Sequence, residues 1–388
     1  MKNPTHLIWL ALTSLFMAAS GSAHAQAIKV GVTVPLTGPA AIIGISARNA
    51  ISMFPGQIAG ADIEYQVLDD ASAPTNAVKN AKRFLGDDVD LVVGSSTSSS
   101  ALAVVEAIAG AETPLIALGA SSRIVAPMDD KRHWVFKTSS NDSLVVTAII
   151  QHMKEQGVRT VGFIGFNEAF GESWLTEIKR YADAGKIELV GVERFNPGDT
   201  STTAQVLRVV SANPDAVLIA AAGTPAALPH IALKERGYKG KIYQTHGAAS
   251  SDVLRIGGKA LNGSYMPVGP NLIWEQLPDS YPTKAASAKF VPQYEQRFGQ
   301  NSRTTYAAQA YDVLLFLEHA IPIALQKARP GTKEFRHALR DALENMKNLP
   351  ANSGVYNMTV TDHSGQNDYS RVMVSIQDEK WVLEPLEN

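Results

Sequence analysis

Short apolar runs alternate with amphipathic segments along the first two thirds of the chain. The runs IKVGVTVP, IEYQVLDD and DLVVG are strand-like, and the segments between them carry apolar residues at helical spacing. The alternation starts again near residue 144, with RTVGFIGF, IELVGVERF, DAVLIAAAG and KIYQTHG as the strand-like runs. Strands separated by helices of this length form parallel pairs with right-handed crossovers. The pattern therefore predicts two similar α/β sheets, with a boundary in the polar stretch 138–142.

The pattern changes after residue 269. Helical periodicity dominates FVPQYEQRFG and the segments 306–326 and 332–346. The final stretch, from YNMTV to KWVLE, alternates apolar and polar residues, which predicts a terminal antiparallel hairpin or meander. The late helices need a sheet to cover, so we expect the chain to cross between the two halves more than once.

The amino terminus has the parts of a secretory signal. Lys2 precedes an apolar run at 7–19, and Ala23-His24-Ala25 fits a signal-peptidase site before Gln26. The chain has no cysteine, which excludes disulfides, thiolate metal sites and a lipid-attachment cysteine. The mature protein is therefore expected to be exported and soluble. Its net charge of −2 gives no basic footprint for a nucleic-acid partner.

The segment DLVVGSSTSSSALAVVEAIAG predicts a buried strand, a serine-rich turn and the start of a helix. The first amides of a helix lack intrahelical partners and favour an anion, to which Thr97 and Ser98 could add hydroxyl donors. The alternative is that these hydroxyls only cap the helix. Other turn-rich loops follow the predicted strands, where parallel sheets bind ligands. They are 36–44, 69–74, 119–122, 167–171, 223–225 and 245–247.

Signatures of catalysis are missing from the sequence. It has no GxSxG elbow, no Walker loop and no HExxH pair, and its histidines are not spaced as metal ligands. Asp69-Asp70 could form an acid–base pair or a cation site, although such pairs more often cap turns. We therefore expect no cofactor and no metal.

Taken together, VGVTVPLTGPAAIIG, LDDASAPTNAV, VVGSSTSSSA, LIALGASS and VGFIGFNEAFGES resemble the periplasmic binding proteins of ABC transporters, in the subfamily of the leucine/isoleucine/valine-binding protein. The resemblance implies a type I fold with two doubly wound parallel-sheet lobes and three hinge crossings. The first lobe would comprise 26–141 plus about 270–353, and the second 142–269 plus about 354–388. It also implies a periplasmic monomer that delivers its ligand to inner-membrane permease subunits.

The resemblance also implies site residues. Amino-acid-binding members hold the ligand carboxylate through positions that match Ser98, Ala120 and Ser121. An aromatic residue before the GE of the second-lobe helix matches Phe170, with Trp174 as a packing residue one turn later. His246 stands where amino-acid binders place an acid that neutralises the ligand ammonium, and an unpaired buried ammonium costs several kcal/mol.

This departure favours a flat carboxylic acid over an amino acid. The segment GTPAALPHIALKERGYKGKIYQTHG also resembles members of the subfamily that take up aromatic acids, which suggests benzoate, hydroxybenzoate or phenylpropenoate ligands. Ile42, Ile43 and Phe170 would flank the ring, and His246 or Thr224 would meet a ring hydroxyl.

Three alternatives stay open. The ligand could be an aliphatic amino acid or amide, with its acidic partner supplied by Glu172 or Asp252. The protein could be a secreted serine hydrolase that pairs a serine of the turn with His246, or a sensor that uses the same pocket. Arg48 and Arg123 could reinforce a carboxylate, but surface salt bridges are the expectation for both.

Overall fold

The computed structural model describes residues 26–385, so the predicted signal peptide at 1–25 lies outside the described residues. Two α/β lobes are built around separate sheets of six and seven strands. Helix α10 (Thr305–Leu325) is long and apolar enough to span a membrane by length and composition, and no other helix of residues 26–385 is. Of its most apolar 18-residue stretch, 61 % is buried inside the fold, as in the core helix of a globular lobe.

The first lobe begins with strands and helices that mostly alternate. They are β1 (Ile28–Val34), α1 (Ala41–Ile51), β2 (Gln57–Ile58), β3 (Ala61–Asp69), α2 (Pro74–Gly86), β4 (Leu91–Gly94), α3 (Ser98–Ile108), β5 (Leu115–Ala117) and β6 (Val135–Lys137). The sheet order is β2-β3-β1-β4-β5-β6, and all neighbours are parallel except β2 and β3. The buried valines of β1 lie on one face of the sheet, and Val92 of β4 packs in a separate apolar cluster on the other, so the sheet is apolar on both faces.

The second lobe repeats the alternation. Its elements are α4 (Asp142–Glu155), β7 (Thr160–Phe166), α5 (Ala169–Asp183), β8 (Glu188–Phe195), α6 (Thr203–Val210), β9 (Ala216–Ala220), α7 (Ala227–Glu235), β10 (Lys241–Gln244), α8 (Ser251–Gly257) and β11 (Tyr265–Val268). The predicted terminal hairpin forms as β14 (Val372–Gln377) and β15 (Lys380–Leu383). It adds two antiparallel strands to this sheet, giving the order β15-β14-β11-β10-β9-β7-β8.

The late helices return to the first lobe, where they supply the cover that its sheet needs. They are α9 (Lys284–Phe298), α10 and α11 (Lys333–Glu344), followed by the short antiparallel pair β12 (Leu349–Pro350) and β13 (Val355–Tyr356). Helix α10 packs against α1 and α11, and its apolar residues join the same core as β1. The chain therefore crosses between lobes three times, and the predicted type I two-lobe fold is confirmed.

The packing of apolar residues locates two of the crossings. Leu272, Ile273 and Leu277 pack in the core of the second lobe, so the chain returns to the first lobe after residue 277. Met358 packs in the core of the first lobe, so the last crossing follows residue 358. The β12–β13 pair precedes this crossing, and the hydroxyl of Tyr356 donates to the buried Asp312 of α10 at 3.2 Å, which holds the segment against the first lobe.

Candidate functional site

A cavity of about 270 Å³ lies between the lobes, at the carboxyl ends of their central strands. Parallel α/β sheets bind ligands at this edge because loops and helix N-termini converge there. Most of the lining side chains are apolar, and a few carry hydroxyl, amide, imidazole or carboxylate groups. The walls are formed by Pro39, Ala40, Ile43, Ser72, Pro74, Ser96, Thr97, Ser98, Ser99, Leu118, Ala120, Phe166, Glu168, Phe170, Pro197, Ala222, His246, Gly247, Tyr306 and Gln309.

The buried carboxylate of Asp70 supports the serine-rich turn after β4 through hydrogen bonds. Asp70 accepts hydrogen bonds from the hydroxyl of Ser95 at 2.7 Å and from the backbone N–H of Ser72 at 3.1 Å. Gly94 has φ +109°, and a Cβ at this position would lie 1.9 Å from the carbonyl oxygen of Thr33. Only glycine fits this turn, which delivers the following hydroxyl residues to the cavity.

The amino terminus of α3 points into the cavity, since Thr97, Ser98 and Ser99 line it. The N–H groups of the first helical turn have no intrahelical acceptors and carry the positive end of the helix dipole. The backbone N–H of Ser121 donates to Ser98 Oγ at 3.1 Å, so the Ser98 hydroxyl keeps its own proton for a ligand. This corner of the cavity suits an anion.

The opposite wall comes from the second lobe, where Glu168 and Phe170 begin α5. Glu168 caps this helix, because its Oε1 accepts from the backbone N–H of Phe170 at 3.1 Å. Its Oε2 accepts a hydrogen bond from the hydroxyl of Ser99 on the first lobe. The pair Ser99–Glu168 therefore joins the two lobes beside the cavity.

His246 follows β10 and is 6 % exposed. Burial lowers its pKa to about 3, and the charge of Lys137 acts in the same direction, so the ring is neutral at physiological pH. The centroid of its ring lies 5.8 Å from that of Phe170, in an edge-to-face arrangement, and 5.8 Å from that of Trp174. Its Nδ1 has no hydrogen-bond partner within residues 26–385, so no carboxylate orients the ring as a catalytic triad requires.

Six of the nine residues expected at the ligand site line this cavity: Ile43, Thr97, Ser98, Ala120, Phe170 and His246. The other three do not. Ser121 is fully buried, and its hydroxyl donates to Ser173 Oγ at 3.2 Å. Ile42 faces Gly223 of the other lobe instead, since a Cβ placed on Gly223 would lie 3.4 Å from Cγ2 of Ile42. Thr224 begins a short 3₁₀ turn directly after Gly223.

The sequence did not single out Tyr306, Gln309 or Glu168 as cavity residues. Tyr306 and Gln309 lie on the first turns of α10, and the Tyr306 hydroxyl donates to the carbonyl of Gly247 across the cleft. Burial raises the pKa of Tyr306, so the phenol keeps its proton. The available signal was the cap at Thr304, whose hydroxyl accepts from the backbone N–H of Ala307 and marks the start of the helix.

Several alternative residues lie elsewhere. Glu172 pairs with Arg194, and Asp252 pairs with Arg255 at 2.9 Å, and neither carboxylate lines the cavity. The expected salt bridge of Arg48 is absent among the described residues, because this side chain donates to the Asn49 amide oxygen at 3.1 Å instead.

Arg123 also makes no ion pair within residues 26–385. Asp69 caps a turn, accepting from the N–H groups of Leu36 and Ala71, each at 2.7 Å. The described part of the chain contains no cluster of three or more metal-ligating side chains.

Two α/β lobes joined by three crossings around an interlobe cavity define a bilobal ligand-binding protein. The family model described as periplasmic binding protein matches residues 27–380, and the chain belongs to this family, in its type I, leucine/isoleucine/valine-binding-protein-like branch. Proteins of this family are substrate-binding receptors of the periplasm, and those of ABC transporters present small molecules to membrane permeases.

Among similar proteins, the Leu/Ile/Val-binding protein BraC3 of Rhizobium johnstonii is 25 % identical over 87 % of this chain and 89 % of its own length. An extracellular ligand-binding receptor from Rhodopseudomonas palustris HaA2 has a solved structure that is 41 % identical, with a TM-score of 0.90 over 93 % of this chain and all of its own. A solute-binding protein from R. palustris, solved in complex with benzoate, has a TM-score of 0.78 at 21 % identity, covering 92 % of this chain and 95 % of its own.

Proposed function

We propose that the protein is the periplasmic solute receptor of an ABC uptake system and that its ligand is a small aromatic carboxylate of the benzoate, hydroxybenzoate or phenylpropenoate type. In this proposal residues 1–25 are a cleaved signal peptide. The mature protein acts as a monomer that hands its ligand to inner-membrane permease subunits. No bond of the ligand is made or broken.

The observation that carries the proposal is the amino terminus of α3 at one end of an otherwise largely apolar cavity. The Ser98 hydroxyl and the free amides of the first turn are donors for the two oxygens of a carboxylate. The rest of the ligand then meets Ile43, Phe166 and Phe170, which suit a flat ring.

The size and charge of the site agree with this ligand class. A volume of about 270 Å³ lies near the lower end of small-molecule sites, roughly 300 Å³, so the cavity suits a ligand of few atoms. His246 is neutral and offers one donor or acceptor to a ring substituent. The solute-binding protein from R. palustris that was solved with benzoate supports an aromatic acid by fold-level analogy.

A branched-chain or other aliphatic amino acid is the second candidate, and two observations favour it. Glu168 puts a carboxylate on the cavity wall, where it could meet an ammonium group, and relatives such as BraC3 bear the name Leu/Ile/Val-binding protein. Both oxygens of Glu168 already accept hydrogen bonds, from Phe170 and Ser99, so an ammonium would have to share them. This is why we rank the aromatic acid first.

Calorimetric titration of ligand-free protein tests the two candidates. The panel contains benzoate, hydroxybenzoates and phenylpropenoates beside leucine, isoleucine and valine. We expect an aromatic acid to bind, and Ser98→Ala to raise its Kd about 10- to 100-fold, because a hydrogen bond to a charged group is lost. Ser100→Ala is the matched control: the side chain is buried on the same helix and does not line the cavity.

The variant Glu168→Gln separates the candidates in a second way. It removes the negative charge that an ammonium needs, so it would abolish amino-acid binding but leave the affinity for an aromatic carboxylate unchanged or improved. Tight binding of leucine by the wild type, lost in Glu168→Gln, with no heat from any aromatic acid, would overturn the proposed ligand class.

A further inference from the structure

Lys137 is a fully buried cation that lies directly behind the cavity wall. It ends β6, the strand that leads into the first crossing between lobes, and its side chain has no exposed surface. The ammonium donates hydrogen bonds to the carbonyl oxygen of Ala120 at 2.6 Å, to that of Ser121 at 3.2 Å and to Asn141 Oδ1 at 2.8 Å. Ala120 lines the cavity, so one peptide unit separates this charge from the ligand site.

All three acceptors of the Lys137 ammonium are neutral. No carboxylate of residues 26–385 lies within ion-pair distance of it, and Asp142 and Asp362 act on it only from farther away. Burial lowers the pKa of Lys137 and raises that of Asp142, which is also fully buried. Because a desolvated cation without a close counter-charge is costly, an anion bound nearby stabilises it.

The bonds of Lys137 continue into the anion corner through a single peptide group. The carbonyl of Ala120 and the N–H of Ser121 belong to the same trans peptide, so they point in opposite directions. Lys137 holds the carbonyl end, and the N–H end donates to Ser98 Oγ at 3.1 Å. The hydroxyl of Ser98 is then free to donate its own proton into the cavity. Together these groups form one chain of aligned hydrogen bonds that begins at the Lys137 ammonium.

We infer that Lys137 is a positioning residue that makes this site selective for a carboxylate: through the Ala120–Ser121 peptide it orients and polarises Ser98, and it is the counter-charge of the bound anion. The inference rests on the proposed function only in that the ligand carries a carboxylate at Ser98. Aligned hydrogen bonds polarise one another in a low-dielectric interior, so the effect of the charge reaches the last donor.

The test compares each carboxylate with its neutral amide. Wild type and Lys137→Met are titrated with benzoate and benzamide, and also with leucine and leucinamide. For whichever acid binds, we expect Lys137→Met to raise the Kd of the carboxylate about 10- to 100-fold. The Kd of the matching amide is expected to rise less than about threefold. A role confined to packing would weaken acid and amide equally, and that result in a folded variant overturns the inference.

Lys137→Gln provides the second variant, because an amide can still donate to the Ala120 carbonyl but carries no charge. It is expected to fold and to lose the preference for the acid, and thermal unfolding checks the folded state of both variants. A double variant with Ser98→Ala is expected to lose less affinity for the acid than the sum of the two single losses, because part of the effect of Lys137 passes through Ser98. Additive losses contradict the inference. If the wild type binds leucine and not benzoate, the proposed ligand class fails, while the leucine and leucinamide pair still decides the role of Lys137.

Discussion

Replacing His246 with glutamine is expected to change how the stability of the protein depends on pH. Burial lowers the pKa of His246 from 6.5 to about 3, and it does the same for His230 on α7. Both rings stay neutral in the folded protein while the unfolded chain takes up protons below pH 6.5. The folded state therefore binds fewer protons, and the free energy of unfolding falls as the pH falls from 6.5 toward 3.

The magnitude follows from the two pKa values. One proton withheld by the folded state costs about 1.4 kcal/mol per pH unit, so each histidine removes about 2 kcal/mol of stability between pH 6.5 and 5. Glutamine does not titrate, so His246→Gln cancels one of these contributions. The free energy of unfolding of the wild type minus that of the variant is expected to be about 2 kcal/mol lower at pH 5 than at neutral pH.

Urea unfolding of ligand-free wild type, His246→Gln, His230→Gln and the double variant at several pH values between about 5 and 7.5 measures these differences. The two changes are expected to add, since the rings lie on different elements and share no hydrogen bond. A gap that stays constant with pH would refute the reasoning, because it would mean that the folded protein accepts a proton on His246 as readily as the unfolded chain does.

Two further changes test the walls of the cavity. Asp70→Asn removes the anionic acceptor beneath the serine-rich turn, and we expect it to cost about 1–3 kcal/mol in urea unfolding; an unchanged midpoint would show that the turn does not need this support. Tyr306→Phe removes the hydroxyl that bonds to the carbonyl of Gly247 across the cleft. We expect this variant to release ligand about 2- to 10-fold faster in stopped-flow fluorescence, with thermal stability near that of wild type; an unchanged rate would show that this contact does not hold the lobes closed.

The alternation of short apolar runs with amphipathic helices was sufficient to predict both lobes, because a parallel strand buried on two faces leaves a continuous apolar run. The segments that cross between the lobes leave no such run in the sequence. Val355 and Tyr356 form a strand of two residues, which is too short to leave a periodic signal. The resemblance assigned the hairpin to the second lobe, but its pairing with β11 was not predicted, since alternation within a hairpin does not say which strand it joins.

The candidate site was predictable where residues follow strands, and less so where other parts of the chain enter. Ser98, Phe170 and His246 each lie just after a strand end, and the topology brings them to one cavity. Ser121 also follows a strand, but its hydroxyl is turned away because it bonds to Ser173. Tyr306 reaches the cavity from a helix whose pattern is that of a core element, so its periodicity gave no indication of a binding role.

The interleaving of the two lobes along the chain has a consequence for biosynthesis. The sheet of the first lobe is covered by α9–α11, and the sheet of the second lobe is completed by β14 at Val372–Gln377. A nascent chain that has emerged as far as β11 has therefore finished neither hydrophobic core, although domains made of contiguous sequence fold as they leave the ribosome. Stable tertiary structure therefore forms only after these late elements have been synthesised. Until then the polypeptide remains unfolded.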